Sequence, residues 1–203
     1  MSTSLAEYYR GVEAATAALA SAPATPGARA IAVHDAVQPL LAADGTVPRA
    51  CHSGCAHCCH FPVGVTFAEA SLLADAVAAA PEARARVLDH AVITSQLGWP
   101  ALVGMPCPFL RDDRSCGVYA ARPLPCRALA SSDAQACAAA VRGQATVPRD
   151  EAAFWRGLGA AATLATAAPA GSRELRSAVA GLLLADPSPE ARAEAFLIAR
   201  AVP

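Results

Sequence analysis

An all-α fold follows from three observations on the sequence. Alanine, the residue with the highest helix propensity, makes up about a quarter of the chain. Apolar residues recur at i, i+3, i+4 and i+7 behind N-capping signals. Aromatic residues are only 5% of the chain, so the helices must pack closely through small side chains. The expected architecture is a compact helical domain carrying two irregular cysteine-rich loops.

The elements can be placed in order. Ser4 and Glu7 form a capping-box pattern ahead of Leu5, Tyr8, Val12, Ala15 and Leu19, which predicts a helix over about 4–20. Pro23 and Pro26 punctuate, and a second helix over about 27–43 is expected to kink or end near Pro39. A loop opened by Pro48 and closed by Pro62 and Gly64 follows. Thr66 and Glu69 form a second capping box, with Phe67, Ala70, Leu73, Ala74 and Val77 on one helix face. Pro81 starts a further helix ending near Gly98.

From there to about Ala128 proline and glycine predict irregular chain. Ser132 and Gln135 are placed to cap a short helix carrying Cys137. Beyond Pro148 a helix buries Phe154, Leu158, Ala161 and Ala165. Two more begin near Ser172 and at Ser188-Pro189-Glu190. The chain reads as a single domain of 1–203, with a cysteine-cluster element over about 48–140 and a helical part over about 148–203.

Net charge is −1, and all 16 basic residues are arginine, so no nucleic-acid footprint is present. No stretch is expected to cross a membrane: the longest uncharged run, Ala91 to Leu110, is broken by Gly98, Pro100, Gly104, Pro106 and Pro108. The start of the chain has no secretory-signal pattern, and a cytoplasmic location is expected.

The chemistry lies in eight cysteines: a knot of Cys51, Cys55, Cys58 and Cys59, then a spaced series of Cys107, Cys116, Cys126 and Cys137. Four sulfurs within nine residues do not suit core packing, which needs bulk at regular spacing. They suit soft metals or an iron–sulfur cluster. Disulfides are set aside, because cytosolic thiols stay reduced and adjacent cysteines bridge only with strain. All eight are taken as candidate metal ligands. The side chains of Cys58 and Cys59 are expected to diverge, which favours two four-thiolate sets or a polynuclear centre. Zinc or iron is the expected metal, with an iron–sulfur cluster among the forms considered and copper(I) ranked behind.

Such a centre concentrates negative charge. Arg111, Arg114, Arg122 and Arg127 are interleaved with the second cysteine series, and Arg127 is the foremost candidate to offset it. His52, His57 and His60 are read as flanking the sulfurs rather than ligating, and His34 and His90 as ordinary surface residues. No catalytic dyad stands out, and no cysteine or histidine follows Cys137. The C-terminal helices are therefore read as scaffold or as the surface for a protein partner.

The ordered elements Cys51-x3-Cys55-x2-Cys58-Cys59, Cys107-Pro108-Phe109-Leu110, Cys116-Gly117-Val118-Tyr119 and Arg122-Pro123-x2-Cys126-Arg127 resemble the bacterial YkgJ-like cysteine-cluster family. The resemblance covers roughly 50–140, with Cys137 standing where some members carry a further cysteine. It implies a domain that chelates zinc or iron, in a metal-handling or redox role. A related element occurs in the flagellin lysine methylase, a longer enzyme in which an iron–sulfur cluster is implicated. The alternatives are therefore an iron–sulfur oxidoreductase or methyl-transfer enzyme, and a partner-binding module with structural zinc. No glycine-rich loop that would hold S-adenosylmethionine is visible in the sequence.

Overall fold

A computed structural model describes residues 3–42, 48–52 and 54–203. The chain is mainly helical, as the composition predicts. In order, the α-helices are α1 (Thr3–Ser21), α2 (Pro26–Ala42), α3 (Phe67–Ala78), α4 (Pro81–Ile93), α5 (Leu124–Ala128), α6 (Ala134–Val141), α7 (Glu151–Leu164), α8 (Leu175–Leu184) and α9 (Pro189–Ile198). The expected last residue of the second helix, Ala43, lies outside the described residues. Pro39 sits inside α2 without ending it. Among the described residues no helix is long and apolar enough to cross a membrane.

Two short strands were not expected. β1 (Gly64–Thr66) and β2 (Ser172–Glu174) pair antiparallel, with Gly64 opposite Glu174 and Thr66 opposite Ser172. Each strand leads directly into a helix, α3 and α8 respectively. The pair thereby fixes the C-terminal helices beside the cysteine loops.

The apolar residues form two cores. One joins α3, α4, α8 and α9 through Leu73, Val77, Val87, Val179 and Phe196, with Phe109 from the second cysteine loop inserted. The other joins α1, α2, α5 and α7 through Ala15, Val33, Leu41, Leu124 and Ala160. Helix α3 contributes to both cores.

Closeness in the second core depends on glycine. A methyl group on Gly11 would stand 1.9 Å from the Arg156 carbonyl oxygen, and one on Gly159 would stand 2.1 Å from that of Tyr8. Helices α1 and α7 therefore meet backbone to backbone. Gly157 lies against the Ala128 methyl group of α5, so α7 also seats the short helix that carries Cys126.

This crossing corrects the expected face of α7. Ala153, Arg156, Gly157, Gly159, Ala160 and Leu164 are buried, while Leu158 is exposed. Small residues were needed at the contact, and apolar bulk misidentified it. The Ser4–Glu7 cap also fails: α1 already runs through Thr3, and the Glu7 carboxylate pairs with Arg156 and Arg10. The Thr66–Glu69 capping box forms in full. Asp133, rather than Ser132, caps α6 by accepting from Gln135 and Ala136 N–H.

Candidate metal centre

The knot begins as irregular chain. Gly54 takes φ +84°, a conformation other residues rarely adopt, and Cys55 N–H donates to the His52 carbonyl at 3.0 Å. His57–His60 then form one 3-10 turn containing Cys58 and Cys59. This turn is tied to the second loop by Cys107 N–H donating to the Cys59 carbonyl at 2.7 Å and Gly104 N–H to the His60 carbonyl at 2.8 Å. Two segments about fifty residues apart in sequence are thus joined at their sulfur-bearing residues.

The second loop turns backbone donors onto its sulfurs. Phe109 N–H bonds to the Cys107 sulfur and Val118 N–H to that of Cys116. Each donor lies two residues after its cysteine, in Cys107-Pro108-Phe109 and Cys116-Gly117-Val118. Donors so placed stabilise thiolate over thiol. Cys126 follows on α5, its N–H donating to the Pro123 carbonyl at 3.0 Å.

Electrostatics sorts the eight sulfurs into two neighbourhoods. Burial pushes the Cys107 thiol up to about 11, and Cys116 and Cys126 also rise, chiefly by burial. Negative charge on Cys58 would raise all three further, and Cys126 also feels Cys107 and Cys116. Cys137 is raised first by burial and then by Cys51, Cys55 and Cys58. Cys58 therefore belongs to both neighbourhoods. Its own thiol is pushed up by the Cys59 thiol beside it and then by burial. The two neighbouring thiols are hydrogen-bonded to one another, against the expectation of divergence.

The outer neighbourhood borders a narrow cleft lined by Cys51, Cys55, Cys58 and Cys137, with His57 and Ser131. Ser131 N–H donates to the Cys51 sulfur at 3.4 Å, and its side chain also bonds Cys137. His60 is turned away, Nδ1 standing 3.1 Å from the Ala56 carbonyl oxygen. All eight cysteines are free thiols. Among the described residues, no three His, Cys, Asp or Glu side chains are already arranged to hold a metal ion. The sulfurs are neighbours whose side chains have not closed on a common point. The donor set itself fits a soft metal: thiols grouped on short turns, with backbone N–H groups at several sulfurs.

Residues 50–146, just under half of the chain, match the model of the CxxCxxCC family, described as "Putative zinc- or iron-chelating domain". The cysteine segment is similar to this family's domain. The match agrees with the resemblance drawn from the motifs and covers all eight cysteines. No curated protein and no solved structure matches the chain.

Several supports of the cysteine segment differ from expectation. Arg127 does not face the sulfurs; it donates to the Arg122 and Ala120 carbonyls and to Gln38. Arg122, stacked 3.7 Å from the Tyr119 ring centroid, is the cation that favours thiolate at Cys58, Cys116 and Cys126. Arg111 adds to this at Cys116. His34 is buried and stands 3.4 Å from the Glu69 carboxylate, and His90 is half-buried against the Pro106 carbonyl. His34 is therefore not a surface residue, and His90 is only partly exposed.

Sequence reasoning missed Arg176. It is buried and donates to the Met105 and Pro106 carbonyls, next to Cys107. A signal existed: Arg176 shares a helix face with Val179, Ala180 and Leu183, a position a solvated arginine would avoid.

Proposed function

We propose that this protein is a metal-handling protein that holds zinc or iron through up to eight cysteine thiolates, in a two-part centre linked by Cys58. Cys58, Cys59, Cys107, Cys116 and Cys126 form its inner part, and Cys51, Cys55 and Cys137 its outer part. One observation carries the reading: Cys58 lines one cleft with Cys51, Cys55 and Cys137, and its own turn is hydrogen-bonded to the Cys107 loop on the other side.

Grouped thiols keep their protons because neighbouring thiolates would repel, and a soft cation that displaces the protons offsets that repulsion. Bound iron would supply one-electron chemistry, most naturally as an iron–sulfur cluster, and bound zinc would supply a fixed cross-link. The chain's contribution is to group the sulfurs, direct N–H donors at them and place Arg122 beside them. A cytoplasmic setting, where thiols stay reduced, suits this role.

The test is elemental analysis and an absorption spectrum of full-length protein purified without oxygen. Zinc or iron retained at one or more equivalents is expected, with visible charge-transfer bands if the metal is iron. Protein that retains neither metal, and takes up neither when it is added, would overturn the proposal.

A further inference from the structure

We propose that Arg176 is a positioning residue of the metal centre, clamping the loop that presents Cys107. This rests on the thiolate reading above. It also gives the C-terminal part, outside the matched 50–146 segment, a direct role at the centre.

Three features lead there. First, Arg176 is only 2% exposed and its partner Glu174 is fully buried, joined by an Nη1 bond of 2.9 Å. Burying a guanidinium is costly, and here both terminal nitrogens find fixed partners, while Nε has none among the described residues. Second, Nη2 donates to both the Met105 and the Pro106 carbonyls at 3.0 Å. In Met105-Pro106-Cys107-Pro108 both prolines lack an N–H, so this stretch has few donors of its own. Cys107 N–H is committed to the Cys59 carbonyl, and Arg176 holds the two carbonyls just before it.

Third, the placement is built in: the second Glu174 oxygen accepts Ser177 N–H at 3.0 Å, so the carboxylate caps α8 while the guanidinium reaches the cysteine loop. Glu174 also lies opposite Gly64 in the two-stranded pair, and Leu175 N–H donates to the Val63 carbonyl at 2.9 Å. The strand that leaves the cysteine knot thus locates the start of α8.

A purely structural buried ion pair is the competing account, and two variants of the full chain separate them. Arg176→Lys keeps the charge but loses the planar fork that serves three acceptors. Glu174→Gln together with Arg176→Met removes both charges, so no lone buried carboxylate prevents folding. Zinc affinity is read by competition with a coloured chelator, the ligand field by the cobalt(II) spectrum, and stability by thermal melting of the zinc-loaded chain.

The expectation is a fall in zinc affinity of about 10–100-fold in the double variant, the range for partners that orient metal ligands. A shifted cobalt–thiolate band and a smaller loss in Arg176→Lys should accompany it. Unchanged affinity and an unchanged cobalt spectrum, whether or not melting drops, would overturn the proposal. A wild-type chain that binds neither zinc nor cobalt would instead overturn the thiolate reading on which it rests.

Discussion

Glu69 accepts a hydrogen bond from Leu124 N–H at 2.7 Å, two residues before Cys126. The stretch Arg122-Pro123-Leu124-Pro125-Cys126 has prolines on both sides of Leu124, whose N–H is buried and needs an acceptor. The same carboxylate accepts from Thr66 N–H and its hydroxyl at 3.0 Å each and stands beside His34. One fully buried side chain therefore joins α2, the start of α3 and the helix that carries a cysteine.

Removing it should be costly. Glu69→Ala leaves Thr66 and Leu124 N–H without their acceptor, at about 1–3 kcal/mol for each unsatisfied buried group. Glu69→Gln, which keeps one carbonyl oxygen, should lose less. Chemical denaturation of both variants reads this directly. A loss in Glu69→Ala no larger than that of an exposed Glu→Ala change would contradict the assignment.

The same residue sets a pH dependence. Burial would raise the Glu69 pKa, but His34 and the Thr66 and Leu124 N–H groups together hold it below the usual carboxylate value. A depressed pKa means that the folded state binds the proton less readily than the unfolded chain. Its contribution is thus complete above the unfolded value and lost as pH falls through the folded one. The stability gap between wild type and Glu69→Gln should be flat near neutrality and shrink in acid. A gap that widens on acidification would mean that Glu69 is buried in its protonated form.

The α1–α7 crossing gives a packing test. Gly11→Ala and Gly159→Ala each force a methyl group into backbone and should destabilise by about 1–3 kcal/mol. Gly27, whose added methyl would meet nothing closer than 3.8 Å, is the control. Gly27→Ala should be neutral or slightly stabilising, because alanine is the better helix former. Equal losses at Gly27 and Gly11 would contradict the close approach.

Much of this was legible in the sequence, for reasons visible residue by residue. Thr66 and Glu69 announced a helix start because a capping box is local chemistry, and the eight cysteines announced themselves by spacing. What stayed hidden depended on long-range placement. The pairing of Gly64–Thr66 with Ser172–Glu174 joins segments too short to show strand periodicity. Arg127, next to Cys126 in sequence, points away from the sulfurs, whereas Arg176, 49 positions later, reaches the Cys107 loop. Adjacency in sequence was a poor guide to adjacency of charge.

Single replacements should separate the two sulfur neighbourhoods. Cys58→Ser is expected to lower metal content more than Cys137→Ser, since Cys58 borders both groups and Cys137 only the outer one. His57→Ala should leave most of the metal in place. Elemental analysis of the three variants checks the order. If His57→Ala loses metal while Cys137→Ser retains it, the outer group is a mixed Cys/His site.

Chelation should act locally first. Metal that joins the two cysteine loops contributes to their folding, so its removal should raise amide exchange over 50–62 and 104–128 before it does in α1 or α7. Unchanged protection in those loops would mean that metal is peripheral to the fold.

The most direct test of the thiolate centre is X-ray absorption at the metal edge on protein purified without oxygen. A first shell dominated by sulfur at about 2.3 Å is the expected result. A shell of nitrogen and oxygen alone would contradict it.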